Sequence, residues 1–168
     1  DLAPLVPDPF DADEAAADHY ALFSLEVFPY AGLFLDANGR LGGPTTDHVQ
    51  RRYAQTGFYP SLDRESADHL GHELGLLAFL AAAEAEALED GEPQEAERMR
   101  RLQQQFLDGH LLWWLPAFVH AVQQQHNPFY DALSRLTLDV VLDHRAALKD
   151  GPIPQESGLL ADPPDLLD

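Results

Sequence analysis

The stretch from Ser66 to Asp90 constrains this chain more than any other. Leu70, Leu74, Leu77 and Ala81 recur at helical spacing, and Leu76, Phe79 and Leu80 widen the stripe until it covers much of the girth. A helix this apolar has to be packed by neighbours on several sides, so the fold is built around it. Ser66 is expected to open it, with Asp68 in a first turn that favours a carboxylate, and Gly91 to end it. His72, Glu73, Glu84 and Glu86 interrupt the apolar run, so it reads as a core helix and no transmembrane segment is expected.

The flanking sequence supplies the neighbours. Apolar spacing through Ala15, Tyr20, Leu22 and Phe23 predicts a first helix over about 12–25. Thr45 or Thr46 is placed to cap a helix that Gly57 ends. Pro93 suits the first turn of a helix whose inner face is Met99, Leu102 and Phe106. The aromatic stretch with Trp113, Trp114 and Phe118 contains Pro116, which should kink a helix or begin one. Asn127-Pro128 gives a cap and a first-turn proline to a last long helix ending near Gly151. No segment alternates like a strand. The expected architecture is all-α, a single-domain bundle of about six helices over residues 1–150, followed by an acidic, proline-rich tail over 151–168.

One segment departs from this pattern. Between residues 26 and 44, Pro29, Asn38-Gly39, Gly42-Gly43 and Pro44 break helices, yet Val27, Phe28, Tyr30, Leu33, Phe34 and Leu35 are strongly apolar. Such a loop either covers the core or forms a binding surface.

Charge and composition narrow the function classes. The chain has 168 residues and a formal net charge of −19, with 29 Asp and Glu against 10 Lys and Arg. Nucleic acid is excluded as a partner, because phosphate binding needs clustered bases. A field of this sign attracts cationic partners. There is no cysteine, which excludes a disulfide scaffold, a thiolate nucleophile and Cys-ligated metal sites. Residues 1–20 show no basic segment followed by an apolar one, so no export signal is expected there.

Few residues suggest catalysis. His69, His72 and Glu73 fall at i, i+3 and i+4, which on a helix could present two imidazoles and a carboxylate to a metal, with His110 and His120 as further donors. The alternative is structural: Asp68 caps the helix and His69 bonds a neighbouring loop. No serine lies in a nucleophile elbow, and Leu41-Gly42-Gly43-Pro44 lacks the lysine of a phosphate loop. Trp113, Trp114 and Phe118 at helical spacing read as core.

Four pieces in order resemble one family: Tyr20-Ala-Leu-Phe23 ahead of the Pro29–Gly43 loop; Asp68-His69-Leu70-Gly71-x-Glu73-Leu74; Phe106-Leu107-x-x-His110-Leu111-x-x-Trp114-x-Pro116-x-Phe118; and Pro128-Phe129-Tyr130-x-x-Leu133. Together they are similar to the TorD/DmsD/NarJ family of redox-enzyme maturation chaperones, over roughly residues 15–148. The resemblance implies a cytoplasmic, all-helical protein that is not an enzyme, needs no cofactor or metal of its own, and allows a homodimer. It implies binding of the twin-arginine signal peptide, or of the apo form, of a molybdenum-cofactor oxidoreductase subunit before export or membrane attachment. The residues that match the family's peptide site are Asp68 and His69, with Tyr20, Leu22 and Phe23 as apolar contacts; Glu73 beside them, and Phe28 and Tyr30 of the apolar loop, which could line a groove, complete the candidate peptide-binding set. Two other readings compete: a metal-dependent enzyme using His69, His72 and Glu73, and a helical interaction module with a non-redox partner.

Overall fold

The computed structural model describes residues 2–6, 11–62 and 65–148; the tail expected over 151–168 lies outside them. Six helices of ten residues or more account for most of the described chain: α1 (Ala12–Ala21), α3 (Pro44–Thr56), α4 (Leu70–Glu89), α5 (Pro93–Phe106), α6 (Leu112–Gln123) and α7 (Pro128–Ala147). A single-turn helix, α2 (Gly32–Leu35), lies inside the apolar loop. Among the described residues there is no β-strand, only an isolated antiparallel bridge between Tyr30 and His69. No described helix is long and apolar enough to cross a membrane.

α4 is central, as its apolar girth requires. Leu76 and Leu80 are buried against Leu107, Leu111, Trp114 and Leu115, all less than 2% exposed. α4 turns back onto α5 through Gly91, whose φ of +73° is the left-handed conformation a side chain would disfavour. α5 then runs almost directly into α6, joined by a π turn over Leu107–Leu111. Pro116 sits within α6 and begins no new helix; the irregularity falls in the π turn just ahead of Leu112, whose carbonyl Pro116 cannot bond. Asn127 caps α7 by accepting from the Phe129 and Tyr130 amides at 3.1 and 3.3 Å.

Three boundaries differ from the sequence reading. α4 begins at Leu70 rather than Ser66. Residues 66–69 instead form a turn, closed by the His69 N–H on the Ser66 carbonyl at 3.1 Å and pinned by backbone bonds from Ala31 N–H to the Asp68 carbonyl and from Leu70 N–H to the Pro29 carbonyl, both 2.9 Å. His69, not Asp68, is the cap: its Nδ1 accepts from the Gly71 amide at 3.0 Å. α3 is preceded by Gly43 with Pro44 in its first turn, and neither threonine caps it. Thr45 instead bonds Asp36, hydroxyl to carboxylate at 2.6 Å, and Thr46 is drawn inward to Asp68. The first helix ends as a π turn over Leu22–Glu26.

Candidate peptide-binding groove

Segment 65–69 is the keystone of the site, and it is pinned from behind. The Asp68 side chain is fully buried. One carboxylate oxygen accepts from the Gly32 amide at 2.9 Å; the other accepts from the hydroxyls of Thr46 at 3.0 Å and Ser66 at 2.6 Å. Tyr53, also buried, donates its hydroxyl to the Ala67 carbonyl at 2.7 Å. A carboxylate out of water is tolerable only when both of its oxygens are hydrogen-bonded, and here three donors reach them. Gly32 permits the approach: a Cβ there would stand 3.0 Å from the Asp68 carboxylate. Asp68 therefore ties the loop, α3 and the start of α4 together and does not reach solvent.

A second buried acid lies one turn further on. Glu73 faces the core, where Oε1 pairs with His110 Nε2 at 2.7 Å and Oε2 accepts from Trp114 Nε1 at 3.1 Å. Burial pushes its carboxyl up from the ordinary range, and the His110 contacts pull in the opposite direction. Thus His69 and Glu73 leave the helix on different sides. His72 bonds the Ser66 carbonyl through Nδ1 at 2.9 Å, His110 is committed to Glu73, and His120 is exposed. The alternative metal set does not converge, and among the described residues no three His, Asp or Glu side chains are arranged to hold an ion.

On the outer side of segment 65–69 lies a groove of about 290 Å³. Its apolar lining comes from Phe23, Leu70, Leu74, Phe118, Tyr130 and Leu133. The rings form a continuous path inward: Phe23 meets Tyr130 edge-on at 5.1 Å and stacks on Phe118 at 6.2 Å, and Phe118 meets the buried Trp114 at 5.8 Å. Polar atoms come from His19, Ser24, Tyr30, Glu65 and His69. Burial holds the His69 imidazole below its ordinary range, outweighing the nearby acids, so the ring is neutral at pH 7. The Tyr30 hydroxyl donates to the Glu65 carboxylate. Burial first, and then that bond and the Glu65 charge, raise the phenol to about 12, so it stays protonated.

Of the eight residues expected at a peptide site, the structure brings Phe23, Tyr30 and His69 into one groove. Phe28 lines a separate concavity of about 400 Å³ with Leu33, Phe34 and Ala121. Tyr20 is exposed but outside either lining, and Leu22 is buried. Asp68 and Glu73 stand behind the wall. Sequence reasoning missed Glu65, His19 and Ser24 in the groove lining. It quoted Tyr130 and Leu133 without assigning them to the site. Their only sequence signal was proximity: Glu65 stands three residues before Asp68, and His19 and Ser24 flank Tyr20–Phe23.

This helical body, with a buried aspartate and a groove-facing histidine leading into its central helix, fits a TorD/NarJ-type protein. Residues 5–120 match the family described as nitrate reductase delta subunit, and the chain belongs to that family. It is 40% identical over 89 residues to the selenate reductase assembly chaperone protein of Thauera selenatis, which covers 51% of this chain and 43% of the relative. It is 31% identical over 156 residues to the chaperone protein TorD of Psychrobacter sp. (strain PRwf-1), covering 87% and 67%. It is 37% identical over 93 residues to the chlorate reductase assembly chaperone protein of Ideonella dechloratans, covering 54% and 45%. The matches thus span less than half the length of the two reductase chaperones.

Proposed function

We propose that this chain is a system-specific maturation chaperone. It binds the N-terminal leader, or the apo form, of a molybdenum-cofactor oxidoreductase subunit in the cytoplasm, and holds it for cofactor insertion before export or membrane attachment. The observation that carries this reading is the groove: an aromatic-floored trough beside His69, on a chain of charge −19, in a family whose relatives are named for reductase assembly. A twin-arginine leader offers two guanidinium groups and an apolar run. The acidic surface suits the first and the groove the second. Beyond Leu133, the exposed Leu136 and Val140 continue the same face of α7 for two further turns, giving an apolar run somewhere to lie.

In this reading the work is binding, and the chain catalyses no covalent step. Association has an electrostatic part, screened over about 8–10 Å at ordinary ionic strength, and an apolar part that salt does not weaken. Titration calorimetry of the purified chain with twin-arginine leader peptides, at low and high salt, tests this. Binding that weakens with salt to a plateau supports it. Absence of binding, or tightening with salt throughout, overturns it.

A further inference from the structure

Resting on that chaperone reading, we propose that Glu65 selects a positively charged side chain of the guest, and that the Tyr30 phenol occupies its carboxylate until the guest arrives. Glu65 is the one acidic side chain among the described residues lining the groove. Its recorded partner is a neutral hydroxyl, and among the described residues no arginine or lysine forms an ion pair with it. A carboxylate offers about four acceptor sites, of which the phenol fills one. The neighbouring acid cannot serve, because Asp68 is fully buried and its oxygens are taken by three donors.

The surroundings favour a cation with an apolar flank. His69 lies against Tyr30, ring centres 5.2 Å apart, and is kept neutral, so it does not compete for the Glu65 charge. The apolar floor of Phe23, Leu74 and Phe118 begins within the same groove. A guest reaching both must carry its guanidinium next to an apolar stretch; a cation alone or an apolar segment alone fills half of the site. A guanidinium brings a full opposite charge and two parallel bonds to the carboxylate where the uncharged phenol donates one, so exchange favours the guest.

The test is calorimetry on the full chain with two synthetic peptides. One carries two adjacent arginines ahead of an alanine–leucine run; its counterpart has glutamine for both arginines. Glu65→Gln weakens the arginine peptide roughly five- to tenfold and leaves the glutamine peptide within about twofold, the difference expected of one partly buried charged pair. Glu65→Asp, which keeps the charge but shortens the reach, falls between, and thermal melts confirm that each variant is folded. Tyr30→Phe binds the arginine peptide at least as tightly as wild type. If Glu65→Gln weakens both peptides equally, or neither, the selecting role of Glu65 is wrong while the chaperone reading stands. If Tyr30→Phe loses as much as Glu65→Gln, the phenol is a direct contact and not a placeholder. If wild type binds neither peptide, the chaperone reading falls, and this assignment with it.

Discussion

The inner and outer sides of segment 65–69 are built from similar residues to opposite ends. Inward, Asp68 has no exposure and three donors on its carboxylate, and Ala67 is bonded by Tyr53. Outward, Glu65 is half-buried and, among the described residues, bonded by the Tyr30 phenol alone, and His69 spends one ring nitrogen on the helix cap. Two acids three positions apart therefore differ in what their removal should cost. The saturated one fixes the wall of the groove, and the unsaturated one is left with capacity for a guest. A rigid back is what allows the front to be incompletely bonded without the segment losing its shape.

The comparison breaks most readily at its inner side. Asp68→Ala strands the Gly32 amide and two hydroxyls, and is expected to cost about 3–5 kcal/mol in urea denaturation. A loss below about 1 kcal/mol would mean that the segment is not held from behind. Glu73→Ala, which strands His110 and Trp114, is expected to cost about 3 kcal/mol. Glu73→Gln keeps both bonds, accepting from Trp114 and donating to the other tautomer of His110, and should stay within about 1 kcal/mol of wild type. Its pH dependence is the sharper readout. Burial raises the Glu73 carboxyl, so its contribution is full below its ordinary value of 4.5 and is lost as pH rises through the folded value. Glu73→Gln should therefore gain on wild type across that window, and parallel stability curves would contradict the assignment.

How much of this was legible in the sequence follows the reach of each interaction. The α4 stripe, the Asn127 cap of α7, the first-turn Pro93 and the left-handed Gly57 are set by residues within a turn or two, and local spacing revealed them. The Asp-His pair also stood out, but its division of labour did not. Asp68 bonds Gly32 and Thr46 across 36 and 22 positions, and Glu73 meets His110 and Trp114 across 37 and 41. Nothing in helical periodicity ranks one carboxylate above another at that separation. The same holds for the greasy loop. Val27 and Ala31 cover the core, Phe28 stays exposed and Tyr30 reaches the groove, so the loop is both cover and surface. Composition alone had posed these as alternatives. Trp114 shows the opposite case: a large ring on an apolar helix face belongs inside, and it is fully buried.

The smallest expected effect lies on the outer side, at His69. Its Nδ1 accepts from the Gly71 amide only while the ring is neutral, and burial holds it neutral below its ordinary 6.5. A depressed folded value means that its contribution is present above pH 6.5 and lost as pH falls through the folded value, when the protonated ring can no longer cap α4. The loss should be about 1 kcal/mol, the usual worth of an N-cap. His48 is shifted in the same direction, chiefly by burial, so wild type alone cannot separate the two. His69→Asn can: it preserves a capping acceptor and removes the titration. Melting curves from pH 8 to pH 5 should fall less steeply for His69→Asn than for wild type, whereas His48→Asn should leave the cap's share in place. If His69→Asn tracks wild type through the whole range, His69 caps α4 without sensing pH, and the front of the segment is as firmly set as its back.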